Sequence, residues 1–207
     1  MRKIFAAALI ASAWLVAGAQ IAPAPTPPPA SDEVVAAKAT DLLRAGTVLG
    51  NKNGNVTIIK FFDYDCVYCK AVEPRVAQLL RTDKNVKVVV KEFPVLSPAS
   101  LTAAKAALAS VKQGKYAAYH AAMMKQEGTL DNRAIFDTAK AVGLNVERLR
   151  RDMVAPEIAD EIIANFNLAR SLRLFQTPAF IINNHIVTGL SADINFPKLV
   201  AEARKKK

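Results

Sequence analysis

The sequence predicts an α/β fold in which a small sheet carries helices on both faces and is interrupted once by a helical block. Two strand-like runs with a helix-like run between them fall within residues 56–93. Helix-like periodicity then fills residues 97–174, and a hairpin pattern with a last helix completes the chain. A strand, a helix and a strand in so short a span predict a βαβ unit with a parallel strand pair.

The first 19 residues have the pattern of a cleavable export signal. Arg2 and Lys3 precede an apolar stretch, residues 4–16, that is short for a membrane span, and small residues end at Ala19. We therefore expect residues 1–19 to be a signal peptide that is cleaved after Ala19. The mature protein would then work in an oxidising compartment, where a disulfide can persist.

Two short segments are predicted between the signal and the core. Residues 20–30 are rich in proline and predict an extended linker. Residues 31–47 predict a helical segment that begins with Ser31 as its N-cap. Gly46 and the glycine- and asparagine-rich stretch 50–54 predict a loop before the first strand.

The core is predicted in two parts. Residues 48–96 contain the βαβ unit, whose strands at 56–62 and 86–93 are rich in β-branched and aromatic residues. Its helix contains Pro74, which should bend it. Residues 97–174 form the helical insertion, and residues 175–207 complete the core.

The C-terminal part is predicted to hold a hairpin and a basic tail. Asn183 and Asn184 suit a type I′ turn because asparagine tolerates positive φ. The formal net charge is +10, and its dense run is Arg204 to Lys207. Since no nucleic-acid motif accompanies this run, we interpret it as a frayed, solvated tail and expect no nucleic acid partner.

The chain contains two cysteines, Cys66 and Cys69, where the first strand should turn into a helix. Free N–H groups and the helix dipole at that position favour a thiolate, so we expect Cys66 to be the exposed nucleophile and Cys69 the less exposed resolving thiol. A structural disulfide would close too short a loop to stabilise much. A zinc site would need about four ligands, and His120 and His185 lack the spacing. The pair therefore predicts redox chemistry without a metal or organic cofactor.

Two runs resemble one known family. Residues 61–70, FFDYDCVYCK, resemble the active-site run of the DsbA family of bacterial periplasmic thiol-disulfide oxidoreductases, and Thr177 to Asn183, TPAFIIN, resembles its second signature. The likeness extends from about Val48 to the C-terminal helix. It implies a thioredoxin fold with an inserted helical subdomain and a cis Thr177–Pro178 bond that faces Cys66 and docks substrate.

The resemblance also implies what the protein does and with which partners. It implies a periplasmic enzyme that introduces disulfides into reduced or misoxidised exported proteins, and a DsbB-like membrane partner that reoxidises the pair. The alternative within the same fold is a dimeric isomerase or reductase that pairs through residues 31–46 and is kept reduced by a DsbD-like partner. A holdase or binding module is less favoured, because both cysteines and the Thr177-Pro178 motif are present.

Three residues depart from the best-known pattern of the family and are candidates for tuning the redox pair. Between the cysteines, the best-known family member carries a dipeptide that contains a histidine, and this chain carries Val67 and Tyr68 instead. The absence of that histidine suggests that the pKa of Cys66 is lowered less. Lys60 stands where the family usually carries a buried acid. Its ammonium group would either be buried and favour the thiolate, or extend to the surface.

The remaining candidates are predicted to be structural. Asp63 and Asp65 are interpreted as turn and cap residues. His120 is interpreted as a core or surface residue of the insertion. Helix core is favoured over an apolar groove near the active site for Met123, Met124, Phe166, Leu172 and Phe175.

Overall fold

The computed structural model describes residues 27–44, 46–189 and 194–205. The predicted export signal, its cleavage after Ala19 and residues 20–26 of the linker lie outside these ranges, as do Lys206 and Lys207. No helix within the described ranges is both long and apolar enough to cross a lipid bilayer.

One sheet forms the centre of the described structure. Its strands, in chain order, are β1 (Thr47–Gly50), β2 (Val56–Phe62), β3 (Val86–Glu92), β4 (Ala179–Ile182) and β5 (His185–Thr188). They lie in the order β1-β3-β2-β4-β5. Strands β2 and β3 run parallel, with Val56 opposite Val86, and the other neighbours are antiparallel. The predicted βαβ unit and fold class are confirmed.

Helices cover both faces of the sheet. They are α1 (Asp32–Ala37), α2 (Ala39–Leu43), α3 (Val67–Thr82), α4 (Pro98–Ser110), α5 (Tyr116–Met123), α6 (Asn132–Ala141), α7 (Val146–Asp152), α8 (Pro156–Ser171) and α9 (Phe196–Lys205). A 3₁₀ turn, Val111–Gln113, follows α4. Helices α4 to α8 form the helical insertion between β3 and β4, as the sequence predicted.

Alternation along β3 separates two apolar cores. Val88 and Val90 pack with residues of α3, α4, α5 and α9, whereas Val89 packs with residues of α1, α2 and α8. The charged residues at the end of this strand follow the same alternation. Glu92 therefore lies under the active-site helix and the insertion, and Lys91 lies under the N-terminal helices, where its ammonium group donates to the carbonyl of Arg44 at 2.7 Å.

Strand β1 corrects the prediction of a loop over this stretch. Thr47 to Gly50 pair antiparallel with β3, and the predicted boundary after residue 47 falls inside the strand. Gly50 is needed there, since its φ is +82° and a Cβ would lie 2.6 Å from the Leu80 side chain. The four residues of this strand show no clear alternation of apolar and polar side chains. They form a strand because they pair with the buried strand β3.

The N-terminal segment consists of two short helices that fold back on the sheet. Ser31 occupies the N-cap position of α1 but makes no side-chain capping bond. Val35 and Leu42 are buried in the second core, and the Ala30 N–H donates to the carbonyl of Leu172 at 3.1 Å. The apolar side of the segment therefore packs against the rest of the same chain.

The hairpin prediction is confirmed and the tail prediction is wrong in part. Asn183 and Asn184 connect β4 to β5 with φ of +48° and +66°. Arg204 belongs to α9 and binds both carboxylate oxygens of Asp83 at 2.8 and 2.9 Å. Its guanidinium is thus held by a planar, bidentate pair, a geometry that a basic run in a sequence does not reveal.

Candidate active site

Cys66 begins the active-site helix. It is the N-cap of α3, with φ −79° and ψ 109°, and its sulfur accepts a hydrogen bond from the Cys69 N–H at 3.2 Å. The sulfur therefore takes the place of the side-chain oxygen that usually satisfies a free N–H at this position. Cys66 and Cys69 are both free cysteines in this structure.

The prediction that Cys66 is exposed is wrong. Cys66 is 3% exposed and Cys69 is fully buried. The Cys66 sulfur points inward, because it caps the helix and lies 3.4 Å from the Thr177 carbonyl. The exposed residues at this point are Val67 and Tyr68, which directly follow Cys66 and are 67% and 50% exposed.

The Thr177–Pro178 peptide bond is cis and faces the cysteines. Strand β4 begins one residue later and pairs antiparallel with β2, with Ala179 opposite Phe61. Strand β2 leads directly into the cysteine run, so this pairing brings Thr177 to Cys66 across 111 residues of sequence. The sheet register therefore assembles the site.

Hydrogen bonding and burial separate the pKa values of the two thiols. A hydrogen bond with the Cys69 side chain lowers the pKa of Cys66 to about 6 and outweighs the opposing effect of desolvation. Hydrogen bonds with Thr177 and with the N–H groups of Cys69 and Tyr68 also lower this pKa. Burial, followed by the hydrogen bond and the charge of Cys66, raises the pKa of Cys69. At neutral pH the reduced pair thus holds a thiolate at Cys66 and a thiol at Cys69.

Lys60 is buried, so the alternative in which its side chain extends to the surface is wrong. Its side chain is 0% exposed and forms an ion pair with Glu73. Its ammonium group also lies 4.8 Å from the centre of the Phe62 ring. A cation and an aromatic face attract each other in such a geometry. The charge of Lys60 is therefore balanced mainly by Glu73.

Glu73 is a site residue that sequence reasoning missed. It lies on α3 one helical turn after Cys69, and that spacing was the available signal. Burial alone would raise its pKa, but the charge of Lys60 and a hydrogen bond with His120 hold it at about 2. The chain thus places a carboxylate on the helix and a lysine on the strand.

A buried polar chain continues from Glu73 into the helical insertion. His120 Nε2 lies 3.5 Å from Glu73 Oε1, and the Tyr64 hydroxyl lies 2.9 Å from His120 Nδ1. The hydroxyls of Tyr64 and Tyr116 donate to Glu92 Oε1 at 3.3 and 2.7 Å. Burial raises the pKa of Glu92 well above its usual range and, with the charge of Lys60, lowers that of His120. His120 is therefore a neutral core residue that joins the insertion to the active-site helix.

Asp63 and Asp65 are turn residues, as predicted. Asp63 accepts hydrogen bonds from the N–H groups of Val95 and Leu96 at 2.8 and 3.0 Å, and from that of Asp65 at 2.7 Å. Asp65 accepts one from the Ser97 hydroxyl at 2.8 Å. These bonds fix the loop after β3 beside the cysteine run.

Five residues between 123 and 175 were predicted to belong to the helix core, and this prediction is confirmed in part. Met123, Met124 and Leu172 are buried, but Phe166 and Phe175 are 37% and 52% exposed.

Comparison with known proteins agrees with this geometry. Residues 43–202 match the family model described as Thioredoxin. A thioredoxin-like oxidoreductase from Silicibacter pomeroyi DSS-3 is 39% identical, with a TM-score of 0.77, over 80% of this chain and 96% of that one. The thiol-disulfide exchange protein alpha-DsbA2 from Wolbachia pipientis is 25% identical, with a TM-score of 0.77, over 85% of this chain and 95% of that one.

A longer protein also shares this segment. The chain is 28% identical over 138 residues to the Na(+)/H(+) antiporter NhaA 1 of Salinispora arenicola (strain CNS-205), and the match covers 66% of this chain. The chain spans about a fifth of the length of the curated antiporters that it matches, 21% in this case. The match to the family model and the structural matches nevertheless cover most of the chain. The chain therefore belongs to the thioredoxin family, and its structure is similar to that of a DsbA-like thiol-disulfide exchange protein.

Proposed function

We propose that this protein introduces disulfides into exported proteins in the periplasm, using the Cys66–Cys69 disulfide as the oxidant. The observation that carries the proposal is the place of the Cys66 sulfur at the N-terminus of α3, where it accepts a hydrogen bond from the Cys69 N–H and where hydrogen bonds lower the pKa of the thiol from 9.0 to about 6. A thiolate that is stabilised in the reduced protein makes the oxidised protein a stronger oxidant.

The lowered pKa of Cys66 changes the redox potential of the pair by a moderate amount. At pH 7, lowering a thiol pKa from about 9 to about 6 stabilises the reduced form by roughly tenfold, or about 30 mV for a two-electron couple. That is a moderate shift. It fits the exposed Val67-Tyr68 dipeptide, in which the Tyr68 contribution comes from its backbone N–H, a group that any non-proline residue would supply.

The reaction follows from the two pKa values. A substrate thiolate attacks the Cys66 sulfur of the disulfide, the Cys66–Cys69 bond breaks, and Cys69 leaves as a thiolate that takes up a proton. A second substrate thiolate then attacks the substrate sulfur of the mixed disulfide, and Cys66 leaves as the stabilised thiolate. Two electrons pass from the substrate to the protein, and the substrate gains one disulfide.

Substrate and membrane partner are assigned to opposite halves of the cycle. The Thr177 carbonyl lies 3.4 Å from the Cys66 sulfur, and we assign to Thr177 and Pro178, which are buried in the structure, the docking of an extended segment of an unfolded substrate. After each turnover the dithiol must be reoxidised, and we assign this step to a membrane protein of the DsbB type.

The N-terminal segment favours a monomer over the dimeric isomerase. The apolar residues that could pair two subunits, Val35 and Leu42, are buried against the chain's own sheet. Val34 and Leu43 remain exposed, at 41% and 56%. Two isolated side chains are too small a surface for a stable dimer interface.

The test is oxidation of a reduced, unfolded substrate protein by the purified, oxidised protein. We expect rapid disulfide formation by the native protein and none by Cys66→Ala. Equilibration of the pair with glutathione gives the direction. A potential as low as that of thioredoxin, about −270 mV, would reject the oxidase role, and an active Cys66→Ala variant would reject the mechanism.

A further inference from the structure

A basic face lies at the end of the sheet opposite the active site. It consists of the β1–β2 turn (residues 51–55), the end of α3 with the turn into β3 (residues 81–87) and the last turn of α9. Strand β2 begins at this end and runs toward the cysteines, whereas α3 begins at Cys66 and runs back. Since α3 has 16 residues with a rise of about 1.5 Å each, the basic face lies about 24 Å from Cys66.

Hydrogen bonds fix the three parts of the basic face to one another. The Lys87 ammonium group donates to the carbonyl of Lys52 at 3.4 Å, which joins the start of β3 to the β1–β2 turn. Arg204 joins α9 to the other two parts. Its guanidinium donates to the Asn55 side chain at 3.2 Å and forms the bidentate pair with Asp83. The basic side chains are therefore held together by the fold, although they are far apart in the sequence.

The basic face carries five positive charges that are available to a partner. The side chains are Lys52, Arg81, Lys84, Lys87 and Lys205. Four of them are exposed and Lys87 is half-buried. Within the described ranges, none of the five forms an ion pair with a carboxylate. Asp83 is taken by Arg204, and Glu202 lies on the hairpin side of α9, in a pocket with His185. The positive charge of this face therefore remains uncompensated.

The composition of the basic face favours a lipid surface over a protein or a nucleic acid. The large apolar side chains that are exposed in the described chain all lie outside its three parts, whereas a protein interface is built around an apolar core. Its residues also include no aromatic side chain that could stack on a base. Clustered lysines and arginines alone are typical of surfaces that are attracted to anionic lipid headgroups.

We propose that the basic face docks the exported protein on an anionic membrane surface, with lipid phosphates as its ligands. Docking in this orientation directs the N-terminus of α3, and with it Cys66, away from the bilayer and toward proteins in solution. The attraction is screened by salt and is reversible, so the reduced protein can leave the surface for reoxidation. This docking goes beyond the oxidase function and does not depend on it.

The test is cosedimentation of the protein, purified after export, with lipid vesicles. We expect binding to vesicles of phosphatidylglycerol and phosphatidylcholine, no binding to phosphatidylcholine alone, and release at about 1 M salt. The variant Lys52→Gln/Lys84→Gln/Lys87→Gln should bind roughly a hundredfold more weakly, because each basic residue near such a surface contributes about fivefold. The variant should still oxidise dithiothreitol at the native rate, since the changed residues are more than a Debye length from the cysteines.

A second triple variant is the matched control. Lys115→Gln/Lys140→Gln/Arg151→Gln removes three exposed positive charges from the helical insertion and has the same net charge as the first variant. It should bind vesicles as the native protein does. Equal weakening in both variants, or equal binding of the native protein to both kinds of vesicle, would overturn the assignment of the basic face. Binding to polyglutamate or to a single-stranded oligonucleotide but not to vesicles would also overturn it. So would release by inorganic phosphate at an ionic strength at which chloride leaves the protein bound.

The orientation is measured by redox activity on the vesicles. When the protein is fully bound, oxidation of a reduced, unfolded protein substrate should keep its rate in solution, because Cys66 faces away from the bilayer. Strong inhibition by the anionic vesicles would place the active site against the membrane and overturn the proposed docking. Vesicle binding needs no active cysteine pair, so a protein that binds vesicles but oxidises no dithiol would reject the oxidase function alone.

Discussion

The ammonium group of Lys60 and the carboxylate of Glu73 form a buried ion pair, and Glu73 lies one helical turn from Cys69. The pair joins strand β2, which leads into the active site, to the helix that carries the cysteines. Because the two opposite charges are in contact, each offsets the free-energy cost of burying the other.

We expect loss of Glu73 to be more costly than loss of Lys60. Glu73→Gln leaves a fully buried ammonium group without its carboxylate, which should reduce the free energy of unfolding by about 3 kcal/mol. Lys60→Met should cost less, because the Glu73 side chain keeps 14% exposure and can be hydrated. Urea unfolding at pH 7 measures both.

The double variant Lys60→Met/Glu73→Gln is the control for this prediction. It should be more stable than the sum of the two single losses implies, because no unpaired charge remains. Additive losses would show that the two charges do not interact.

Glu92 should make the protein less stable as the pH rises. Burial raises its pKa, so the folded state keeps the proton that the unfolded chain releases above about pH 4.5. Its contribution to stability is therefore complete below that pH and is lost above it, by about 1.4 kcal/mol per pH unit up to the folded pKa. Glu92→Gln keeps an acceptor for Tyr116, removes this slope and should be more stable than the native protein at pH 8.

Unfolding free energies between pH 5 and pH 8 measure the effect. Glu157→Gln removes an exposed carboxylate on α8 and should retain the native slope. Parallel slopes for the native protein and Glu92→Gln would show that Glu92 is already ionised in the folded state.

The sequence predicted what depends on local pattern and missed what depends on partners. Strand β2 was predicted with the bounds that it has, and the Asn183-Asn184 turn follows from the tolerance of asparagine for positive φ. Strand β1 was missed because its four residues form a strand by pairing with β3.

The active site divides in the same way. The spacing of Cys66 and Cys69 and the Thr177-Pro178 motif could be recognised in the sequence. Burial of the Cys66 sulfur could not, because it depends on a carbonyl 111 residues away. The acceptor of the Lys60 charge could not be assigned either, since Glu73 comes from another element.

The N-terminal segment provides a matched pair for testing the monomer. Leu42 is 4% exposed in the second core, and its neighbour Leu43 is 56% exposed. Leu42→Ala should reduce the free energy of unfolding by about 2 to 3 kcal/mol, and Leu43→Ala by less than about 0.5 kcal/mol. Sedimentation should show one monomeric species for the native protein and for both variants. A native dimer that Leu43→Ala dissociates would instead support the isomerase alternative.

The pKa of Cys66 should depend most on the thiol of Cys69. The hydrogen bond from that side chain is the largest influence on the Cys66 pKa, and the bond with Thr177 is a smaller one. Cys69→Ala should therefore raise the pKa above its native value of about 6 by more than Thr177→Val does, and Cys69→Ser, which keeps a donor, should raise it least. The absorbance of the thiolate at 240 nm, titrated from about pH 4 to pH 10 in the reduced protein, gives each value. If Cys69→Ala leaves the pKa unchanged, the N–H groups at the start of α3 stabilise the thiolate by themselves, and the redox potential of the pair would then depend on the helix N-terminus alone.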